Sequence, residues 1–187
     1  TDVTHKELVQ YHATDWDFII SRSEANGQLV YLEDDSFIIA KPDPSKTPVL
    51  LAAYGVNIID FEAETEARFQ YKTVKNSSWN PADQALIEDE GDEPELQDQG
   101  DLPGDELADV LGLESLDLLR SGQLPVEELK AIASAQMLKS RLSRIIGRVT
   151  IQGNADVKLG EFISLEGVGN RYNGDAFITG IRQEVGN

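Results

Sequence analysis

The chain has 187 residues, no cysteine and a formal charge of −18 from 34 acidic and 16 basic side chains. That length allows one body burying roughly 70% of its extended surface, or two small domains. The composition excludes a disulfide framework and a thiolate metal site, and its charge repels nucleic-acid phosphates.

In chain order, Thr14-Asp15-Trp16-Asp17 reads as a helix start, with Thr14 as N-cap and carboxylates at the positive end of the dipole. Asn26-Gly27 supplies the stop. Gln28 to Glu33, an Asp34-Asp35-Ser36 turn and Phe37 to Lys41 predict a hairpin, and prolines at 42, 44 and 48 make a connector. Val56 to Phe61 is a candidate strand. Ala67, Phe69, Tyr71 and Thr73 alternate with polar residues as a second strand, which Trp79-Asn80-Pro81 ends.

Between Asn76 and Leu119 there are 14 acidic residues and no Lys, Arg or His, leaving 20 acidic against 16 basic elsewhere. Glu88 to Asp105, with three glycines and two prolines, reads as an irregular loop, either solvated and mobile or a docking surface for a basic partner. Asp105 to Leu111 and Ser115 to Arg120 read as short helical pieces. Pro125 opens a long helix running to about Arg144, whose small residues Ala131, Ala133, Ser134 and Ala135 permit close packing on a sheet. Gly147 is expected to stop it. Strands follow at Arg148 to Gln152, Glu161 to Glu166 and Ala176 to Gln183, joined by turns at Asn154 to Asp156 and Asn170 to Asp175.

This order predicts an α+β, mainly β fold: an antiparallel β-barrel that the long helix interrupts or packs against, beside a small α+β unit. The expected segments are 1–48 (helix plus hairpin), 49–87 (first barrel strands), 88–123 (acidic irregular loop) and 124–187 (long helix and closing strands). A start at Thr1 rather than methionine reads as a fragment or processed chain.

Catalytic chemistry is hard to place. His5 and His12 are the only histidines, and no nucleophile elbow, phosphate-binding loop or zinc-protease motif occurs. We therefore expect no catalytic residues, no cofactor and no metal. Asp15 and Asp17 flank Trp16, which could suggest a glycan hydrolase, but positions two apart on a helix diverge by about 200° and do not converge on one substrate. Helix capping explains them better. The acidic run lacks the spacing of an EF-hand loop, and Pro94 interrupts it. No apolar run reaches the roughly 18 residues of a membrane span. GVGNRYNG, Gly167 to Gly174, lies between two strands and precedes no helix, so it is a turn rather than a phosphate cradle. Arg171, Tyr172 and Asn173 at its tip combine polar groups with one aromatic, which suits an interface rim; a self-packed turn is the alternative.

The passage from Ser140 to Val185 resembles the end of the hub domain of the VgrG family. These are the central baseplate proteins of contractile phage tails, type VI secretion systems and related injection particles. The matching motifs are SRLS at Ser140 to Ser143, G-x-V-x-x-x-G at Gly147 to Gly153, the Lys-x-Gly-Glu step within Val157 to Glu161, and the glycine-rich turn at Gly167 to Gly174. Val9 to Gly27 is similar to a second family segment at Val9, Gln10, Tyr11, Asp15, Asp17, Phe18, Ile19, Arg22, Glu24 and Gly27, departing at Ala13-Thr14. Ser77 to Pro81 resembles a third, with Asn80 in place of an acid.

The resemblance implies a homotrimeric hub, a symmetry adapter between the hexameric inner tube and the spike, with a hub-type barrel and no turnover. It implies as partners the inner tube protein and the spike or other baseplate proteins, while the charge and the lack of a long apolar run lead us to expect no nucleic acid and no membrane span. It also implies assembly in the bacterial cytoplasm followed by export within the particle. The chain then lacks the family's first barrel and its spike. The competing readings are a glycan hydrolase, marked by loss of cleavage on replacing Asp15 or Asp17, and a binding module that works through the acidic loop. Deleting Glu88 to Asp101 is expected to abolish binding by such a module while leaving ring assembly intact.

Overall fold

A computed structural model describes residues 4, 5, 7–33 and 35–185. Thr1, Asp34 of the expected hairpin turn, and the end of the last segment at Gly186 and Asn187 lie outside the described residues.

The first helix, α1 (Asp15–Ala25), begins where capping chemistry dictates: the Thr14 hydroxyl accepts the Asp17 N–H at 3.1 Å, and Asn26 caps the other end. Strands β1 (Leu29–Glu33) and β2 (Ser36–Ala40) form the expected antiparallel hairpin. Salt bridges tie α1 to the long helix α3 (Val126–Leu142), Lys139 to Glu24 at 3.0 Å and Arg22 to Glu128 at 3.7 Å.

The remaining strands are β3 (Leu50–Ala53), β4 (Ile58–Thr65), β5 (Thr73–Asn80), β6 (Ala85–Glu90), β7 (Ser115–Arg120), β8 (Ile145–Ile151), β9 (Phe162–Glu166) and β10 (Gly174–Phe177), with α2 at Gly104–Leu111. They form three further sheets, ordered β10-β9-β3, β4-β8 and β6-β5-β7. The fold is α+β and mainly β. Among the described residues no sheet closes into a barrel. The expected antiparallel arrangement is corrected at two ladders, because β3 runs parallel to β9 and β5 parallel to β7. Nor do the last three strands form a meander: β8 pairs with β4, leaving β9 between β10 and β3.

Three local expectations also change. Ala67 to Tyr71 is a turn region rather than a strand, and β5 runs on through Trp79-Asn80. Ser115 to Arg120 is a strand laddered to β5, with Leu116 and Leu118 on the face packed against α3. Gly147 does not stop the helix. Ser143 is its C-cap, and Gly147 lies within β8, where a Cβ would come within 2.6 Å of the Glu62 carbonyl oxygen.

Two apolar clusters hold these pieces. Val74, Ala133 and Met137 pack β5 on α3, joined by Leu116 and Leu118. Full burial of a Met or Val side chain stabilises by roughly 1.5–3 kcal/mol. Ala52, Ile163 and Leu165 form the second cluster, against which Phe61 of β4 and Val149 and Ile151 of β8 pack. The two-stranded ribbon thus shares one interior with the β3-β9-β10 sheet.

Candidate assembly surface

The GVGNRYNG segment joins β9 to β10 as a turn knit into the chain. The Gly169 carbonyl accepts N–H bonds from Tyr172 at 3.0 Å and Asn173 at 2.9 Å, and Asn173 Oδ1 accepts the Val168 N–H at 3.0 Å. Tyr172 meets Phe61 edge to face, centroids 5.9 Å apart. Arg171 pairs with Asp101 at 2.9 Å and stays about half exposed. At Gly174 the backbone has φ +115, and an added Cβ would lie 2.8 Å from the Gln99 Cα, so both conformation and space require glycine. All three tip residues therefore have partners inside the chain, and only Arg171 reaches well into solvent.

The acidic stretch is irregular over residues 91–103 and anchored to its neighbours. Its start is strand β6, and residues 91–103 form a strap with fixed partners along its length. Gly91 donates to the Val74 carbonyl at 2.9 Å, and Asp92 N–H donates to Ser134 Oγ at 3.0 Å. Glu93 takes a two-pronged bond from Arg141 at 2.5 and 2.9 Å. Asp98 and Gly100 bond the backbone of Asp175 and Asn173, so the strap runs along the edge of β10. Arg144 donates to the carbonyls of Gln99, at 2.6 Å, and Leu102. Burial, and then the neighbouring Arg141 charge, pull the Arg144 pKa below the usual guanidinium range, a tendency that Asp98 opposes. Basic residues at the negative end of α3 thus hold an acidic segment, as the helix dipole favours.

The strap, β4-β8, β9-β10 and residues 178–185 surround an open cleft of about 1710 Å³ whose apolar wall includes Phe61, Val149, Ile163, Leu165, Ala176 and Ile178. That exceeds the roughly 300–1,000 Å³ of a small-molecule site. Asp15 and Asp17 do not line it. Asp15 accepts from Gln10 Nε2 at 2.8 Å and Asp17 from Thr14 Oγ1 at 2.7 Å, so both serve the helix start. His5 lies 2.9 Å from Arg22 Nη2, and His12 stacks edgewise on Tyr11. No group of three metal-capable side chains occurs among the described residues, and no described helix is long and apolar enough to cross a membrane.

Sequence reasoning missed the strap's anchors Arg141 and Arg144, and also the outward face of the β6-β5-β7 sheet. The signal for the anchors was present: their charges fall at a helix C-terminus in a chain with a cation-free acidic run.

The fold is one shared with phage tail proteins of known structure. A tail protein from Neisseria meningitidis MC58 superimposes with a TM-score of 0.58 at 14% identity, over 86% of this chain and 47% of that one. The 43 kDa tail protein of prophage MuSo2 from Shewanella oneidensis gives 0.57 at 11% identity, over 94% and 50%. The chain thus spans about half the length of each. No curated protein matches the sequence. The model of the Alg8 N-terminal domain matches residues 1–187, and the chain belongs to that family.

Proposed function

We propose that the chain is a structural subunit of a phage tail or related contractile injection machine. Within that class we assign it to the VgrG-like hub, a homotrimeric adapter between inner tube and spike that performs no turnover. The observation that carries this reading is the fold likeness to two tail proteins over 86% and 94% of the chain. The hub motifs at Ser140 to Ser143 and Gly167 to Gly174 support the finer assignment. Two sheets that share one apolar cluster and line one open cleft support the reading of a subunit that works within an assembly. Unpaired strand edges are a liability in isolation, and an assembly covers them.

Arg171, with Tyr172 and Asn173 behind it, is the exposed tip of the turn and our candidate for a rim contact with a neighbouring subunit. Assembly takes place in the bacterial cytoplasm, followed by export with the particle. The test is native mass by light scattering across a range of concentrations. A trimer is expected, and a stable dimer contradicts the hub.

A further inference from the structure

The β6-β5-β7 sheet has two unlike faces. Val74, Asn76, Leu116 and Leu118 point to α3, where Asn76 Nδ2 donates to the Leu129 carbonyl at 3.1 Å. The alternation of a strand then turns Lys75, Trp79, Leu86, Glu88, Glu90, Asp117 and Leu119 outward. A sheet face left to water normally carries polar residues. Here Trp79 is 51% exposed, Leu86 directly opposite it 56%, and Leu119, which stands opposite Ser77, 79%. Charge is interleaved with these apolar groups, Glu88 lying on the same rung as Leu119. Asp117 stands opposite Lys75, which also bridges to Glu90 at 3.0 Å, and Glu88 stands opposite Ser77. The Lys75 ammonium is held above its ordinary range, first by the Glu90 bond and then by the charges of Glu90, Glu88 and Asp117. One cation thus faces three carboxylates, and the sequence supplies no other between Asn76 and Leu119.

We infer that this face docks a basic protein segment that carries apolar side chains between lysines or arginines. Charge complementarity selects that occupant. A second copy of the same face would set carboxylates against carboxylates, and nucleic acid or an anionic membrane would be repelled. Apolar contacts at Trp79, Leu86 and Leu119 supply affinity, while Glu88 and Asp117 supply register and selectivity. The inference does not depend on the hub assignment.

The test uses the full chain with Trp16→Phe, which leaves Trp79 as its one tryptophan, titrated with a synthetic peptide of alternating leucine and lysine. Expected are a saturable blue shift of Trp79 emission, a loss of about tenfold or more in affinity with Glu88→Lys and Asp117→Lys together, and a weaker loss with Leu119→Ser. A leucine–glutamate peptide of the same length should leave the emission unchanged. Amide shifts at residues 75–79, 86–90 and 115–119 in the unsubstituted chain give the same answer if Trp16→Phe fails to fold. Equal binding of the acidic peptide, wild-type affinity in the double charge reversal, or no response at these residues overturns the inference. So does self-association that Leu119→Lys abolishes, which would make the face a contact between copies.

Discussion

Glu66 at the end of β4 shows how one local pair sets a pH response. The Arg68 guanidinium grips both its carboxylate oxygens, and the Arg68 N–H donates to it at 2.9 Å. The side-chain bond, then the backbone bond, lower its pKa from 4.5 to about 2. A depressed carboxylate contributes stability that is fully present above the unfolded value and lost as pH falls through the folded one. Urea unfolding should therefore show the difference between the chain and Glu66→Gln shrinking between pH 4.5 and about 2, with the Glu66 carboxyl carbon titrating near 2 by NMR. A titration near 4.5 contradicts the pairing. Gly91→Ala is the steric counterpart. Its Cβ would sit 2.5 Å from the Ala133 carbonyl carbon of α3, and a loss of about 1–3 kcal/mol in urea unfolding is expected. Thr14 was legible from sequence because capping is local, and Thr14→Ala should cost about 1 kcal/mol. The Gly91 constraint was not, since it depends on a helix some 40 residues away in sequence.

At the scale of elements, α1, the hairpin and α3 could be read because capping, turn chemistry and small-residue runs act within a few residues. Strand β7 could not. Ser115 to Arg120 is short, and only its parallel ladder to β5, made after a long excursion, fixes it as strand. The anchoring of the acidic strap was not legible for the same reason, its partners being Arg141, Arg144, Ser134 and the β10 backbone. Arg144→Ala should free the strap, costing about 1.5–3 kcal/mol for lost charge-assisted bonds and speeding amide exchange at residues 98–102. Unchanged exchange there would show that the Arg144 bonds do not hold the strap. Deleting Glu88 to Asp101, attractive from the sequence, removes part of β6 as well as the strap, so side-chain substitutions separate binding from folding better.

For the whole molecule, the mainly β character and the helix-to-strand passage after Ser143 were visible in the alternation of the chain, while the sheet order was not. Parallel pairings of β3 with β9 and β5 with β7 join segments far apart in sequence, and no local pattern records them. The Arg171–Asn173 turn was found as a motif, and the structure shows its inner side committed to Phe61 and the strap. The hub proposal is tested most directly by cryo-electron microscopy of injection particles from the cells that encode this chain. It predicts this fold in three copies at the junction of inner tube and spike. Complete particles whose tube–spike junction is built without this chain would contradict it.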